Sequence, residues 1–405
     1  MRIVIIGAGE CGVRASLALR EQGFDGAIDV INGEDHIPYE RPPLSKLTAD
    51  GVALKPISGT DRLLEDHIAL HSDSIAISIN RDAREVALSN HESLLYDKLL
   101  IATGARPRPF MLNGKEVQQA RYLRTYDDAK ALYDVISPDF RLTIIGGGFI
   151  GLEIAAEARK NGAIVTVIEG APRILGRAVP ASLAAKIEAR HRMAGVTFHI
   201  GKAIASVSAA RMITLEDGIE IPSDVILAGI GSLPNIELAQ KAGLVIDNGI
   251  AVKGMLQTSD PAIYAAGDCC SFPHPLYDNK HIRIESWRAA QEQGDHAARA
   301  MLGSTDAYQA VPWFWSDQYD LTLQIAGLAM DATEEIERKI DEQASILFHL
   351  AADGRLLAAS GLGIGNSVAR DVRLAEMLIA KRAKPDKASL ADPAFKLKSL
   401  LSSAV

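Results

Sequence analysis

Short apolar runs closed by glycine set the pattern of this chain. Ile3-Val4-Ile5-Ile6 runs into Gly7-Ala-Gly9-Glu-Cys-Gly12, and a helical spacing follows through Leu17, Ala18 and Leu19. The order predicted is strand, tight turn, helix. A second strand, Ala27 to Ile31, ends near Glu34. The same pattern returns farther along. Leu142 to Ile145 reads as a strand, Gly146-Gly-Gly148-Phe-Ile-Gly151 as a turn and Leu152 to Lys160 as a helix. Ala163 to Ile168 is then a strand ended by Glu169. Two more apolar runs end in small residues: Leu99-Leu-Ile-Ala102-Thr103-Gly104, and Ile263-Tyr-Ala-Ala-Gly267-Asp268. Towards the C-terminus, Leu321 to Ile325 and Ala344 to Leu350 are strand-like and Arg370 to Lys381 is helical.

Each Gly turn has a specific chemistry. The first glycine allows the turn, the second lets the backbone approach a pyrophosphate and the third lets helix and strand pack closely. The phosphates then sit at a helix N-terminus, where free N–H groups and the helix dipole favour anions. Gly7, Gly9 and Gly12 are one such set; Gly146, Gly148 and Gly151 are the other. Glu34 and Glu169 end the following strands, where a carboxylate accepts hydrogen bonds from a ribose diol. A single glycine fingerprint is weak, but two in matching context imply two dinucleotide sites. No basic residue immediately follows Glu169, which favours NAD(H) over NADP(H) at the second site; Arg173 and Arg177 lie nearby.

Composition narrows the class. The 405 residues are 48% hydrophobic and 23% charged, an ordinary globular balance that, at roughly 100–200 residues per domain, suggests several domains. A net charge of −8 and the lack of a long Lys/Arg tract argue against nucleic acid. No run approaches the ~18 apolar residues of a membrane span, so no membrane association is expected. The N-terminus reads as a strand, not a signal peptide, and three cysteines cannot form a disulfide framework, so the cytoplasm is expected. The ten histidines form no metal-binding pattern, and no metal is predicted.

The stretch His36-Ile-Pro-Tyr-Glu-Arg41-Pro42-Pro43-Leu-Ser45-Lys46 is stiff and ends in a cation. Proline fixes its own φ and pushes the preceding residue away from helix, so an extended segment is predicted after Arg41.

The motifs GAGECG, PYERPPLSK, ATGARPRP, YLRT, GGGFIGLE, GIGSLPN, YAAGD and RIESW closely resemble those of the FAD-dependent, NADH-linked ferredoxin reductases. These reductases serve Rieske-type dioxygenases and bacterial haem monooxygenases. The resemblance covers residues 1–330 with specific motifs and the remainder more loosely. It implies an α/β, glutathione-reductase-like flavoprotein fold, with two Rossmann-like dinucleotide-binding domains and an α+β C-terminal domain. The FAD domain would be split, residues 1–110 and 235–312, around an NAD domain, 111–234; the C-terminal domain would be 313–405. The resemblance assigns the first Gly turn and Glu34 to FAD, with further FAD contacts at Arg41, Lys46, Ala76, Arg124, Asp268 and Trp287. Ala102, Thr103, Gly104 and Gly267 belong to its small-residue motifs beside that cofactor. It places NADH against Ile150, Glu153, Glu169, Arg177 and Gly231.

The implied activity is hydride transfer from NADH to FAD, followed by single-electron transfer to a two-iron ferredoxin of Rieske or plant type. Lys46 would stabilise negative charge on the reduced flavin. Glu153 would pair with Lys46 or accept a hydrogen bond from the nicotinamide carboxamide. Arg106, Arg108, Arg288 and Arg299 are candidate docking cations, and the aromatic stretch Pro312 to Tyr319 a candidate cover for the flavin. Cys269 and Cys270 read as unpaired small residues, Cys11 lies within a Gly turn with no CxxC in the chain, and Ser45 stands where thiol-dependent relatives place cysteine. An NADH oxidase or quinone reductase, a flavoprotein redox signal, and a monomer or homodimer all stay open. The C-terminal segment Gly361 to Arg370 lacks a proline that relatives often carry, which leaves partner choice open.

Overall fold

Arg2–Ile6 is the central strand of a five-stranded parallel sheet. In spatial order the strands are Ile263–Ala265, Lys98–Ile101, Arg2–Ile6, Ala27–Ile31 and Ile68–His71. The computed structural model describes residues 1–47, 51–176 and 178–403. Helix Glu10–Glu21 follows the central strand and packs against helix Trp287–Met301. Gly294 makes that approach possible, because a Cβ there would lie 2.6 Å from the Cys11 carbonyl oxygen. Ala76–Asn80, Glu85–Leu88 and Ser93–Leu95 form a separate antiparallel sheet. These elements belong to one compact unit, made of Met1–Glu40, Leu54–Arg106 and Leu233–Pro312.

The second unit repeats the plan around the second Gly turn. Arg141–Ile145 is again central, with Val225–Ala228 and Ala120–Arg121 on one side and Ile164–Glu169 and Thr197–Ile200 on the other, all parallel. Helix Phe149–Lys160 follows the turn. In each unit the glycine-bearing turn leaves the C-terminal end of a central strand, where open α/β sheets bind ligands.

The chain from Trp313 on belongs to this second unit. It forms an antiparallel sheet in the order Trp313–Gln318, Leu321–Gly327, Leu356–Ile364, Ser345–Leu350, Glu334–Lys339. Helix Ala369–Ala380 covers it. Gly361 and Gly363, in the segment Gly361 to Arg370, let strand and helix approach closely. A Cβ on Gly361 would stand 2.8 Å from the Val372 side chain, and one on Gly363 would strike Ser367. Leu323, Leu347 and Leu362 share a core with Leu132, Leu152 and Ile187, so this sheet and the second parallel sheet are stabilised by the same apolar burial.

Two local expectations change. Pro42–Ser45 is a 3-10 helix, not an extended segment. Proline's fixed φ suits the first positions of such a turn, whose N–H groups have no partner to lose. The i→i+3 bonds from Leu44 N–H to Arg41 and from Lys46 N–H to Pro43 close it. Arg41, helical at φ −83° and ψ −29°, overrides the usual bias of a residue before proline. Residues 41–47 and 51–53, assigned above to the FAD domain, fall in the second unit. Hydrogen bonds from Arg41 to the Arg124 carbonyl and from Ser45 to Glu153 fasten them there.

Candidate functional site

In the first unit the three glycines divide the work. Gly7, at φ +112°, would place a Cβ 2.3 Å from the Ala102 carbonyl oxygen, and Gly12 would place one 1.9 Å from the Gly7 carbonyl oxygen. Both are therefore needed for packing. Gly9 is different: a Cβ there meets nothing within 4 Å. Gly9 is also the N-cap of its helix and has no side chain to satisfy the first-turn N–H groups. Open space in front of free donors is the cradle a dinucleotide pyrophosphate requires, so the residues fit FAD.

The other residues assigned to FAD in this unit take definite places. Thr103 and Asn235 interlock: the Thr103 hydroxyl donates to the Asn235 carbonyl, and the Asn235 amide donates to the Thr103 carbonyl, both at 2.8 Å. Gly104 turns away at φ +66°. Glu34 accepts a hydrogen bond from the Tyr39 hydroxyl at 2.5 Å. Gly267, at φ +80°, donates its N–H to buried Gln293 at 2.8 Å, and partly buried Asp268 follows it. Trp287 opens its helix and donates its indole N–H to Glu10 at 2.9 Å, which brings it to the first turn of the Gly-turn helix. Burial pushes the Glu10 carboxyl up. Ala76 opens an antiparallel strand opposite Leu88 and is only partly buried.

Cys11, Cys269 and Cys270 are buried free thiols. Burial pushes all three up, which keeps them protonated and poorly nucleophilic. Among the described residues, no group of three or more His, Cys, Asp or Glu side chains is placed to hold a metal ion. No helix among them is long and apolar enough to cross a membrane.

In the second unit Gly146, at φ +100°, would place a Cβ 2.5 Å from the Gly229 carbonyl oxygen, and Gly151 would place one 2.9 Å from that of Gly146. Gly148, the N-cap, faces open space except for one carbonyl oxygen at 3.7 Å. The cradle is therefore present twice. Ile150, in the first turn of the helix, is 52% exposed. Gly231 adopts φ +101° with nothing near its missing Cβ. Glu169 accepts backbone N–H groups from Gly147 and Ala171, each at 2.7 Å, and so ties the second strand to the Gly turn. Arg173 turns inward and donates to the Val179 and Gly176 carbonyls at 2.9 Å, which commits its guanidinium to its own loop. Arg177 lies outside the described residues.

Lys46 and Glu153 do not pair with each other. Lys46 Nζ lies 2.8 Å from Asp317 Oδ2, and the Asp317 carboxylate also takes the Thr322 hydroxyl at 2.9 Å. Glu153 accepts the Ser316 hydroxyl at 2.6 Å on one oxygen and the Ser45 hydroxyl on the other. The reason is strand alternation. Successive residues of Trp313–Gln318 face opposite ways, so Ser316 turns to the Phe149–Lys160 helix and Asp317 to the loop. Burial pushes the Glu153 carboxyl up; the two hydroxyls and the nearby Lys46 charge oppose that rise. Phe314, on the Ser316 face, packs on Phe149 with ring centroids 4.3 Å apart. Trp313 and Trp315, on the other face, stack at 5.4 Å.

His191 carries no sequence signal; Ser316, Asp317 and Gln318 fall within the aromatic stretch Pro312 to Tyr319, and Asn235 ends the motif GIGSLPN, without individual roles. Ser45 was visible only as a residue standing where relatives have cysteine. Two of the nominated docking cations are already engaged: Arg106 with Glu237 at 2.6 Å and Arg288 with Glu292 at 2.9 Å.

Residues 1–294 match the pyridine nucleotide-disulphide oxidoreductase family, and residues 313–401 match the reductase C-terminal domain. The chain belongs to this family. It is 40% identical to the anthranilate 1,2-dioxygenase system ferredoxin–NAD(+) reductase component of Burkholderia cepacia, over 98% of each chain. It is 37% identical to putidaredoxin reductase of Pseudomonas putida, over 99% of this chain and 97% of that one. Among solved structures, the covalent putidaredoxin reductase–putidaredoxin complex superposes with a TM-score of 0.91 at 36% identity, covering 100% of this chain and 98% of that one. The family's fold, two dinucleotide-binding halves and a C-terminal domain, is the fold found here.

Proposed function

We propose that the chain is an FAD-dependent NADH:ferredoxin reductase that passes single electrons to a two-iron ferredoxin supplying an oxygenase. End-to-end similarity to reductase components, C-terminal region included, carries this reading. FAD, when bound, supplies the conversion of one two-electron event into two one-electron events. The Gly7–Gly12 turn and Glu34 hold its adenosine diphosphate half, and Lys46 provides a positive charge for the flavin ring. Gly146, Gly148 and Gly151 receive the NADH pyrophosphate. Glu169 keeps lone pairs for the ribose hydroxyls besides its two backbone donors. With Arg173 committed to its loop, the observed groups around Glu169 favour NADH over NADPH. Glu153 accepts from the nicotinamide carboxamide.

The test is to mix the FAD-loaded protein with NADH and a two-iron ferredoxin and to follow bleaching of the iron–sulfur absorbance. Fast ferredoxin reduction with slow NADH consumption in its absence is the expected result. Rapid NADH turnover onto oxygen or a quinone, with ferredoxin inert, overturns the reading.

A further inference from the structure

A chain of buried hydrogen bonds runs through the second unit to Glu153. The Tyr319 hydroxyl lies 3.4 Å from His191 Nδ1, and His191 Nε2 lies 2.8 Å from Gln318 Oε1. The Gln318 amide donates to Ser316 Oγ at 3.1 Å, and Ser316 donates to Glu153 at 2.6 Å. His191 is 0% exposed, and Ser316 and Gln318 are buried with it. Their partners are fixed by construction. Ser316 and Gln318 are two apart on one strand, so they share a face. His191 is wedged edge-on between the rings of Phe198 and Tyr319.

The donors in this chain have one consistent direction. An ionised Glu153 only accepts, so the single Ser316 hydrogen points to it. The Ser316 oxygen must then accept, which turns the Gln318 NH₂ towards it. Gln318 Oε1 is left facing His191, so Nε2 carries the ring proton and Nδ1 accepts from Tyr319. Reversing any one link reverses the next, up to the carboxylate.

We infer that Gln318 and His191 are positioning residues that act on Glu153 through Ser316, holding the hydroxyl hydrogen on the carboxylate. Used at the nicotinamide, as the reading of Glu153 above requires, this device keeps a partly buried acceptor ionised. The charged and titratable groups acting on Glu153 are Lys46 from the loop, Asp317 from the strand and Tyr133 from the helix Tyr126–Tyr133. Those acting on His191 are Arg190 on its own helix, Ala181–Met193, and Tyr319.

Gln318→Glu is the decisive variant, because the introduced carboxylate only accepts and draws the Ser316 hydrogen away from Glu153. In infrared difference spectra of the FAD-loaded protein, the protonated-carboxyl band lost in Glu153→Gln reports Glu153. Its titration midpoint is expected to move up by roughly one pH unit in Gln318→Glu and in Ser316→Ala, and to stay in place in Ser316→Thr. Ser316→Ala, a small deletion, serves if Gln318→Glu fails to fold. The pH dependence of NAD⁺ affinity, measured by calorimetry, should move in parallel. A lowered melting temperature with an unmoved band overturns the inference and leaves the chain a packing device. NAD⁺ affinity indifferent to Glu153→Gln overturns instead the reading of Glu153 on which it rests, and the band separates the two failures.

Discussion

Lys46 Nζ sits 2.8 Å from the carboxylate of Asp317, a residue 271 positions away on the first strand of the C-terminal sheet. The cation that ends the proline turn is therefore held from outside the turn. Both side chains are more than a third exposed or close to it, so the pair adds little to stability. Its expected contribution is positional. Asp317→Asn should leave the melting temperature nearly unchanged and slow flavin reduction by NADH on the order of tenfold in stopped flow. Lys46→Met should do the same with FAD still bound. Unchanged reduction rates in both would make Lys46 an ordinary loop lysine.

The two outer glycines of the first turn and the middle one should fail differently. Gly12→Ala forces a Cβ to 1.9 Å from a backbone oxygen and should cost about 3 kcal/mol of stability. Gly9→Ala meets no protein atom within 4 Å, so the apoprotein should fold normally and lose flavin. The ratio of flavin to protein absorbance, beside a melt of each apoprotein, separates the two outcomes. Equal melting temperatures for the two variants would contradict the assignment.

Glu169→Gln removes charge and keeps one acceptor oxygen, so only one of the two backbone N–H groups of Gly147 and Ala171 stays bonded. The NADH KM should rise several-fold with kcat little changed, the pattern of lost uniform binding. NADPH should gain little, because Arg173 remains engaged with Val179 and Gly176. Steady-state constants for both nucleotides provide the check.

His191 makes the fold acid-sensitive. Burial lowers it from 6.5 to about 4, so the unfolded chain binds its proton first as pH falls. Its contribution is complete above the unfolded value and is lost as pH falls through the folded one. A change of that size corresponds to roughly 3 kcal/mol. Buried His274, His296 and His349 are shifted the same way. Urea midpoints should therefore drop between neutral pH and about pH 4, and His191→Gln should flatten part of that slope.

Ferredoxin reduction should weaken steeply as salt rises, the expectation for docking through the candidate cations Arg106, Arg108, Arg288 and Arg299. Arg106 and Arg288 each already hold a carboxylate, so their removal should change the salt slope less than removal of Arg108 or Arg299. A rate independent of ionic strength would exclude electrostatic docking.

Much of the architecture was legible because its causes are local. A strand, a glycine at positive φ and a helix that starts on a glycine need only neighbouring residues, and both Gly turns stand at their expected positions. Pro42-Pro43 departs from the extended expectation because proline's φ suits both an extended chain and a 3-10 turn; the choice comes from hydrogen bonds that the spacing does not reveal.

The sequence by itself determined two strand–glycine turn–helix units and the acids that follow them, since each is built within about 30 residues of chain. Only the tertiary structure decided what holds Lys46 and Glu153. Strand pairing and alternation put Ser316 and Asp317 on opposite faces of one strand, 163 and 271 residues from the groups they serve. A contact of that range depends on how sheets and helices pack, and residue spacing along the chain does not encode it.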